Sequence, residues 1–423
     1  MAVDKYVGAT GVELYLFFIK NFLYKVLSMF VPVNLSERVF YVGVNDRRTH
    51  LFENLWPLER GVAYNSYVIK DEKVALIDSV EIGQVDKFLK KVRAVIGDRP
   101  VDYLVINHME PDHAGAVQIL TELYPDMKLV GNKKTIPMVE GFFGIKDKFV
   151  EVAEGDVLEL GATSLQFFMV PMVHWPETMV SYMKEDKILF SGDAFGSFGT
   201  LDGGIFDDEV DFDSFKEEMR RYYSNIVGKY GSPVQKALAK LEGLDIAMIG
   251  ATHGPVLRSH IPEMIAMYDA WSKYEAEPGV VVAYASMYGH TEEMAEVVAR
   301  ELAVNGVKHI KMYDVSKTHA SYIISDIFKY KGVVFGSPTY SNELHPNMEA
   351  LVNKLEHMGV SNHLLGVFGS FSWAGAAVKR LTSFAEKVKW ELVADPVEQK
   401  FALGDKFEAC RAIGRAMAEK VLK

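Results

Sequence analysis

The chain has 423 residues, a formal net charge of −11 at pH 7 and a single cysteine, Cys410. At roughly 100 to 200 residues per domain, this length predicts two or three domains that each bury a core of their own. One cysteine excludes disulfides, tetrathiolate zinc and iron–sulfur clusters, so redox chemistry would need an organic cofactor or a metal held by histidines and carboxylates. The acidic balance argues against nucleic acid as a partner, and the cysteine content favours a cytoplasmic location.

Residues 1–37 are predicted to be an N-terminal extension that precedes the folded body. Residues 11–33 are largely apolar, but one glutamate and two lysines interrupt them before the roughly 18 to 20 apolar residues that a membrane span needs. We therefore expect no transmembrane span, and the position of the lysines also argues against a signal peptide. The polar residues form one narrow stripe on a helical wheel, which predicts an amphipathic helix that packs on a partner or a membrane surface. Disorder and a natural start at Met29 are the alternatives.

Residues 38–277 form the first predicted domain, in which short apolar runs alternate with turns. Each run ends at an Asp, Lys or Gly turn, as strands do. The predicted strands are residues 39–44, 62–69, 74–78, 103–108, 165–170, 179–183 and 188–193. Many strands with helices between them predict two sheets enclosed by helical layers, and a helical stretch at residues 262–276 ends the domain.

Seven potential metal ligands lie at the ends of strands in this domain. Four of them fall within six residues, directly after the strand that ends at residue 107, where several side chains can point at one spot. The candidate ligands are His108, Glu110, Asp112, His113, His174, Asp193 and His253. Each alone could be a core histidine, a turn aspartate or a helix-capping neighbour, but seven such coincidences in one chain are not expected.

Seven ligands are too many for one tetrahedral zinc but suit two adjacent metals that share a carboxylate. Asp193 is the expected bridge, because it comes from a strand of its own and has two oxygens to share. The other candidates divide into two groups, which are His108, Glu110 and His174 on one metal and Asp112, His113 and His253 on the other. A set of imidazoles and carboxylates without thiolate favours iron or manganese, and zinc stays chemically possible.

A change of rhythm after Glu277-Pro278-Gly279 marks the second predicted domain, residues 278–423. Strands and helices now alternate strictly, with strands about 25 to 30 residues apart. The five predicted strands are residues 280–286, 307–314, 332–336, 364–370 and 390–394. This alternation is typical of a doubly wound parallel sheet.

Three loops follow the first, third and fourth of these strands, at the sheet edge where such folds bind ligands. The first loop opens a helix predicted to begin near Glu292, and its hydroxyls and amides suit a phosphate monoester better than a pyrophosphate, which favours FMN over NAD or FAD. The other two loops carry aromatic side chains that could stack on an isoalloxazine ring. The predicted FMN-binding residues are Ser286, Met287, Tyr288, Gly289, His290, Thr291, Pro338, Thr339, Tyr340, Ser341, Asn342, Ser370, Phe371, Ser372, Trp373, Ala374 and Gly375.

The chain from about residue 38 to its end resembles the flavodiiron proteins. The residues that carry the resemblance are NHMEPDHAG at 107–115, VHWPETM at 173–179 and FSGDAFGSFG at 190–199. Glu110 stands where the metallo-β-lactamase hydrolases usually have a histidine, and residues 280–423 are similar to flavodoxin. The resemblance implies an α/β chain with an αββα metallo-β-lactamase-like sandwich followed by a flavodoxin-like doubly wound sheet.

The resemblance also implies an oxidoreductase with two bridged irons and FMN. These cofactors together can deliver four electrons, which suits reduction of dioxygen to water, and two electrons suffice to couple two nitric oxides into nitrous oxide. A head-to-tail homodimer or a dimer of dimers is implied, with an external electron donor such as rubredoxin or a reduced flavin or deazaflavin system. The sequence does not choose between the two gases.

Two other functions are compatible with parts of the sequence. A dinuclear zinc hydrolase with an accessory flavodoxin domain would use a metal-bound hydroxide, but Glu110 and the electron-carrying domain argue against it. A simple electron carrier with a degenerate metal site would not need all seven candidate ligands.

Overall fold

The computed structural model describes residues 32–402 and 404–423. The amphipathic helix predicted within residues 11–33 lies outside the described residues, except for residues 32 and 33. The alternative start at Met29 also lies outside them. Among the residues described, no helix is both long and apolar enough to cross a lipid bilayer.

The first half of the chain is built on two large sheets and two short ribbons. Its strands are β1 (Val33–Asn34), β2 (Val39–Tyr41), β3 (Val44–Asp46), β4 (Leu51–Phe52), β5 (Trp56–Pro57), β6 (Val62–Tyr64), β7 (Tyr67–Lys70), β8 (Val74–Ile77), β9 (Tyr103–Val105), β10 (Lys128–Gly131), β11 (Phe149–Glu151), β12 (Val157–Glu159), β13 (Ser164–Met169), β14 (Met179–Met183), β15 (Ile188–Gly192) and β16 (Met248–Ala251). One sheet has the order β1-β2-β7-β8-β9-β10-β11 and the other β12-β13-β14-β15-β16, while β3 pairs with β6 and β4 with β5.

Seven α-helices accompany these strands in the described residues. They are α1 (Val85–Ile96), α2 (Pro111–Ala114), α3 (Val117–Leu123), α4 (Thr135–Phe143), α5 (Phe212–Tyr222), α6 (Gly231–Leu241) and α7 (Ile261–Ser272). In α1, Val85, Phe88 and Val92 recur at helical spacing and are buried. Strands β8, β14 and β15 are buried at every residue, so both of their faces are covered, as predicted for sheets between helical layers.

Two predicted strands are each divided in two. The run 39–44 contains β2 and β3, and the run 62–69 contains β6 and β7. The two runs pair with each other in one antiparallel register, and the pairing is interrupted at Asn65, whose backbone amide donates to the carbonyl of Thr252 at 2.7 Å. The Asn65 amide accepts a hydrogen bond from the Tyr41 hydroxyl at 2.8 Å and donates to the carbonyl of Gly254 at 2.8 Å. Several strands that were not predicted, such as β10 and β16, have only three or four residues, which is too few to show a period.

The second half is a parallel sheet with helices on both faces. Its strands are β17 (Glu277–Tyr284), β18 (Ile310–Asp314), β19 (Tyr330–Tyr340), β20 (Glu343–Leu344), β21 (Leu364–Phe371), β22 (Glu391–Leu392) and β23 (Val397–Lys400). Its helices are α8 (His290–Val304), α9 (Ala320–Lys329), α10 (Pro346–Met358), α11 (Ala377–Val388) and α12 (Phe407–Val421). The order β18-β17-β19-β21-β22 confirms the doubly wound sheet. The boundary at Pro278-Gly279 stays a prediction, and both residues lie inside β17.

One hydrophobic core runs from the first half onto one face of the parallel sheet, and a second core fills the other face under α8 and α12. At the junction the Tyr223 ring lies 5.2 Å from Trp271 and 6.1 Å from Phe328 of the second half, between ring centroids. Arg220 is buried there and its guanidinium lies 3.0 Å from the Asp326 carboxylate. The two halves are therefore packed against each other.

Candidate metal centre and flavin site

The seven candidate ligands come together at one edge of the first half. His108 follows β9, His174 follows β13, Asp193 follows β15 and His253 follows β16. Strands from both large sheets thus end at the same place, and the remaining candidates lie on the loop and short helix α2 that continue from His108. Six of the seven side chains are buried, and the Asp112 side chain is 15% exposed.

One oxygen of Asp193 faces the first predicted group of ligands. Its Oδ2 atom lies 3.1 Å from Nε2 of His174 and 3.7 Å from Nε2 of His108. The Glu110 carboxylate completes the group, with Oε2 at 3.1 Å from His174 and 3.4 Å from His108. These donor atoms surround one small volume, as a single metal ion would require.

The other oxygen of Asp193 faces the second predicted group. Its Oδ1 atom lies 3.2 Å from Nε2 of His113 and 3.5 Å from Nε2 of His253. Asp112 completes this group, with Oδ2 at 3.1 Å from His253 and Oδ1 at 3.6 Å from His113. The geometry therefore has the form predicted for two metals that share Asp193.

Two of the histidines are oriented by acceptors on their far side. Nδ1 of His108 lies 2.6 Å from the Glu177 carboxylate, which also accepts the amide of Met109 at 3.0 Å. Nδ1 of His253 donates to the carbonyl of Ala63 at 2.8 Å. Since these contacts occupy Nδ1, each ring presents Nε2 to the centre, which is the arrangement typical of metal-binding histidines.

The sequence alone did not indicate a role for Glu177 or for Asn65, although Glu177 lies in the VHWPETM segment at 173–179. Asn65 donates from its amide to the carbonyls on both sides of His253, those of Ala251 at 3.0 Å and Gly254 at 2.8 Å. Gly254 has φ +75°, and a Cβ there would collide with the Ser197 side chain. The loop that carries His253 is thus fixed from both sides, and only the spatial contacts reveal it.

Several buried donor and acceptor atoms of this cluster lie close to one another but at angles that make no hydrogen bond among the described residues. They include both oxygens of Asp112, both nitrogens of His113 and Nε2 of His253. Buried polar groups without partners are costly in free energy, so a cluster of them indicates a ligand that satisfies them. A pair of metal cations fits this donor set of four imidazoles and three carboxylates.

Neighbouring carboxylates raise the pKa values of the histidines in this cluster, so without a metal these histidines bind protons. Burial alone would lower the pKa of His253, but the Asp112 and Asp193 carboxylates raise it to about 10. The same balance, with Asp193 and Glu110, raises the pKa of His174 to about 9. Metal cations would replace these protons, so metal binding is expected to weaken as the pH falls.

A cavity of about 600 Å³ opens onto the centre and is lined in part by Phe52, Glu53, Tyr64 and Glu110. Burial, followed by the neighbouring Glu110 carboxylate, raises the pKa of Glu53 to about 7. Tyr222 lies on the inner side, with its ring 5.6 Å from His253, and its buried hydroxyl has no partner among the described residues.

The three predicted FMN loops meet at the carboxyl edge of the parallel sheet. Thr291 of the first loop and Ser370 of the third are joined by a hydrogen bond of 2.9 Å between their hydroxyls. Thr339 of the second loop accepts the amides of Ala376 at 3.0 Å and Ala377 at 3.2 Å, which follow the third loop. Tyr340 and Trp373, in the two loops predicted to supply stacking aromatics, are 48% and 85% exposed and lie outside this network. Tyr288 of the first loop is also exposed.

The local structure of these loops differs from the predictions in two ways. The helix begins at His290 rather than near Glu292, after Gly289 with φ +93°, so its first amides lie beside the predicted phosphate position. The second loop is a continuation of β19, which runs to Tyr340 and pairs with β20 through a turn at Ser341-Asn342. Both differences keep the predicted residues at the same sheet edge.

Comparison with known proteins is consistent with this architecture. A family model described as ODP family beta lactamase matches residues 62–254, and a flavodoxin model matches residues 282–414. The nitric oxide reductase of Moorella thermoacetica is 30% identical over 396 residues, which cover 92% of this chain and 99% of that protein. The anaerobic nitric oxide reductase flavorubredoxin of Escherichia coli is 31% identical over 92% of this chain and 82% of its own length.

Solved structures agree over almost the whole chain. The rubredoxin oxygen:oxidoreductase from Desulfovibrio gigas superposes with a TM-score of 0.89 at 29% identity, covering 93% of this chain and 99% of that one. The flavodiiron protein from Giardia intestinalis gives a TM-score of 0.89 at 27% identity, covering 93% and 97% of the two chains.

Proposed function

This chain belongs to the flavodiiron proteins, and on that basis we propose that it reduces dioxygen to water, nitric oxide to nitrous oxide, or both, with two irons and FMN as its cofactors. The observation that carries the proposal is the position of Asp193, whose two oxygens face two separate groups of imidazole and carboxylate donors. An oxidoreductase of this kind needs ligands for two metals and an electron-carrying domain, and the two donor groups and the flavodoxin-like half support both requirements.

The proposed metal ligands are the seven residues predicted from the sequence. They are His108, Glu110, Asp112, His113, His174, Asp193 and His253. Three hard carboxylates and no thiolate favour iron or manganese, and the flavodiiron relatives support iron. Glu110 in the first group adds a negative charge that an imidazole would not. The chemistry that the cofactors supply when bound is gas coordination and storage of two electrons at the irons, and transfer of one or two electrons from FMN.

The protein's own groups then hold and orient the reactants. Glu177 fixes the ring of His108, and Asp193 keeps the two donor groups at one separation. Burial raises the pKa of the buried Tyr222 hydroxyl above its usual value, and this hydroxyl has no partner among the described residues. That hydroxyl can donate a hydrogen bond to a small molecule held at the centre.

FMN is proposed to lie across the three loops at the edge of the parallel sheet. Its phosphate would accept from the amides at the start of α8 and from the hydroxyls of Ser286 and Thr291. The exposed rings of Tyr288, Tyr340 and Trp373 are then available to cover the isoalloxazine.

We also propose a head-to-tail dimer in which the flavin edge of one chain meets the metal cavity of the other. Exposed apolar side chains support this pairing, because they surround both places: Tyr288 and Trp373 at the flavin edge, and Leu51, Ile82 and Phe142 around the cavity. An external donor such as rubredoxin, or a reduced flavin or deazaflavin system, would supply the electrons. A cytoplasmic location stays a proposal, based on the cysteine content.

The first test is the metal content of anaerobically purified protein, measured by plasma mass spectrometry together with oxygen and nitric oxide consumption by the reduced enzyme. About two irons per chain and turnover of either gas are expected. Glu110→Ala and His253→Ala should abolish turnover and retain FMN, whereas Glu159→Ala, at an exposed position on β12, should behave as the parent. Two zincs and no iron after iron-supplemented expression would instead support the zinc hydrolase.

A further inference from the structure

Strand β4 and the turn that follows it, in the hairpin formed by β4 and β5, line the cavity above the candidate metal centre through Leu51, Phe52 and Glu53. At its near end the Phe52 ring meets the His253 ring edge to face, 5.4 Å between centroids and 90° between planes. Its next residue, Glu53, lines the same cavity as Glu110. The position of this hairpin therefore sets the shape of the space through which a small molecule reaches the candidate ligands.

The hairpin is poorly stabilised by its own backbone. Each of its strands has two residues, paired as Leu51 with Pro57 and Phe52 with Trp56. Its turn places Glu53 at φ +49° and Asn54 at φ +56°, in the left-handed region that costs free energy for residues with a side chain. The few hydrogen bonds between two-residue strands do not offset the free energy that such a turn costs, so contacts from elsewhere must hold the hairpin in place.

Two sets of contacts do so. Phe52 packs on Phe198 and Tyr222 of the first half, at 5.5 Å and 6.1 Å between ring centroids, and contacts from the second half converge on Trp56, which is 3% exposed. The ammonium nitrogen of Lys354 lies 3.3 Å from the centre of the Trp56 ring, and the His319 ring meets the same indole at 6.1 Å and 87°. The indole Nε1 donates to the Glu53 carboxylate at 2.8 Å. Trp56 thus connects the flavin-bearing half to the residue that lines the metal cavity.

Lys354 is suited to this contact by its place and its charge. It lies on α10, the helix that follows the second FMN loop, and burial lowers its pKa to about 8, which leaves it mainly cationic at neutral pH. A cation over an indole is the most favourable pairing of this kind. The base of the hairpin is held separately, because Arg221 donates to the carbonyl of Pro57 at 3.1 Å. Loss of Lys354 would therefore loosen the Trp56 side of the hairpin, while Arg221 still holds Pro57 and the aromatic packing still holds Phe52.

We propose that Lys354 is a positioning residue that fixes the β4–β5 hairpin through Trp56 and thereby sets the apparent affinity of the metal centre for its gaseous substrate. The effect on the affinity for the gas rests on the proposed function. The positioning of the hairpin by Lys354 does not depend on that function. By this proposal the second half of a chain shapes the metal site of the same chain. This structural effect is separate from electron delivery.

The test compares Lys354→Met, which keeps the apolar stem and removes the charge, with Lys354→Arg, which keeps a cation. Lys308→Met, at an exposed position in the same half, is the matched control. Hydrogen exchange of residues 51–57 is measured in the full chain with its cofactors. We expect about tenfold faster exchange in Lys354→Met, and parent-like exchange in the other two variants.

In steady-state kinetics we expect the KM for the gas to rise about five- to tenfold in Lys354→Met, with kcat, iron content and FMN content within twofold of the parent. Lys354→Arg should have the KM of the parent. Unchanged exchange and KM in Lys354→Met would overturn the proposal, as would equal effects of the methionine and arginine variants. If Lys354→Met does not fold, Trp56→Phe, which removes the Nε1 donor, must show the same pair of changes.

The two proposals fail in different ways. A parent protein without iron or gas turnover would contradict the proposed function, and hydrogen exchange of the hairpin would still decide whether Lys354 holds it. Normal turnover with an unaffected hairpin would leave the proposed function intact and remove the role of Lys354.

Discussion

The side chains that orient the candidate ligands are the most informative residues of the metal centre. Glu177 accepts from His108 and from the amide of Met109, so one carboxylate fixes both a ring and the backbone beside it. The Thr252 hydroxyl donates a hydrogen bond to the Asp193 carboxylate. These contacts hold the His108 ring and the Asp193 carboxylate in their orientations, and they join residues that are far apart in the sequence.

Replacement of Glu177 by alanine should therefore weaken the metal site without removing a ligand. Since His108 would lose the acceptor of its Nδ1 proton, we expect iron affinity to fall about 10- to 100-fold, with FMN content unchanged. The measurement is the iron retained in equilibrium with a competing chelator. Glu159→Ala is the control, and equal retention in both variants would show that Glu177 does not orient the ring.

At the scale of elements, the junction between the halves depends on a charged cluster of α5 and α9. Arg220 contacts Glu217 on its own helix, donates to the carbonyl of Ser325 at 3.0 Å and pairs with Asp326. Lys329 lies 3.0 Å from the other oxygen of Glu217. Burial opposes ionisation of Glu217, but Arg220 and Lys329 outweigh it and lower its pKa to about 2.

This shift predicts how Glu217 affects stability as the pH changes. A carboxyl whose pKa is lower in the folded state stabilises the fold above its unfolded pKa of about 4.5, and this contribution is lost as the pH falls towards 2. Glu217→Gln should therefore destabilise the protein at pH 7, by at most about 1 kcal/mol because the side chain is half exposed. In urea denaturation the difference from the parent should shrink between pH 5 and pH 3.5. A difference that does not change over this range would contradict the assigned pKa shift.

At the scale of the whole molecule, the exposed aromatic residues of the flavin edge predict self-association. Trp373 is 85% exposed, and large aromatic residues are frequent hot spots of protein interfaces. We expect Trp373→Ala to raise the dimer dissociation constant at least tenfold in sedimentation experiments. Val304→Ala, at an exposed apolar position at the end of α8, should leave it unchanged. Equal dissociation constants in both variants would remove the flavin edge from the dimer interface.

Much of the fold was predictable because it is encoded locally. Strict alternation of strands and helices after residue 278 indicated the doubly wound sheet, and the topology confirms it. Prediction failed where the pairing of two strands is interrupted, as at Asn65, whose backbone amide donates to the carbonyl of Thr252, and where a loop continues a strand, as in β19, whose residues 336–338 pair with β21. In both cases backbone hydrogen bonds to another segment of the chain decide the local structure, and the run of residues itself does not indicate them.

The residue types of both candidate sites can be recognised without the fold: the seven candidate ligands, Glu110 among them, and the hydroxyl and aromatic residues of the flavin loops. Residue types at strand ends are visible in the sequence, because strand periodicity and turn residues are local signals. Three features are visible only in the folded chain: which oxygen of Asp193 faces which group, which acceptors hold the histidines, and the contact of Lys354 with Trp56. Those contacts depend on sheet register and on the packing of the two halves, which bring together residues separated by up to about 300 positions in the chain.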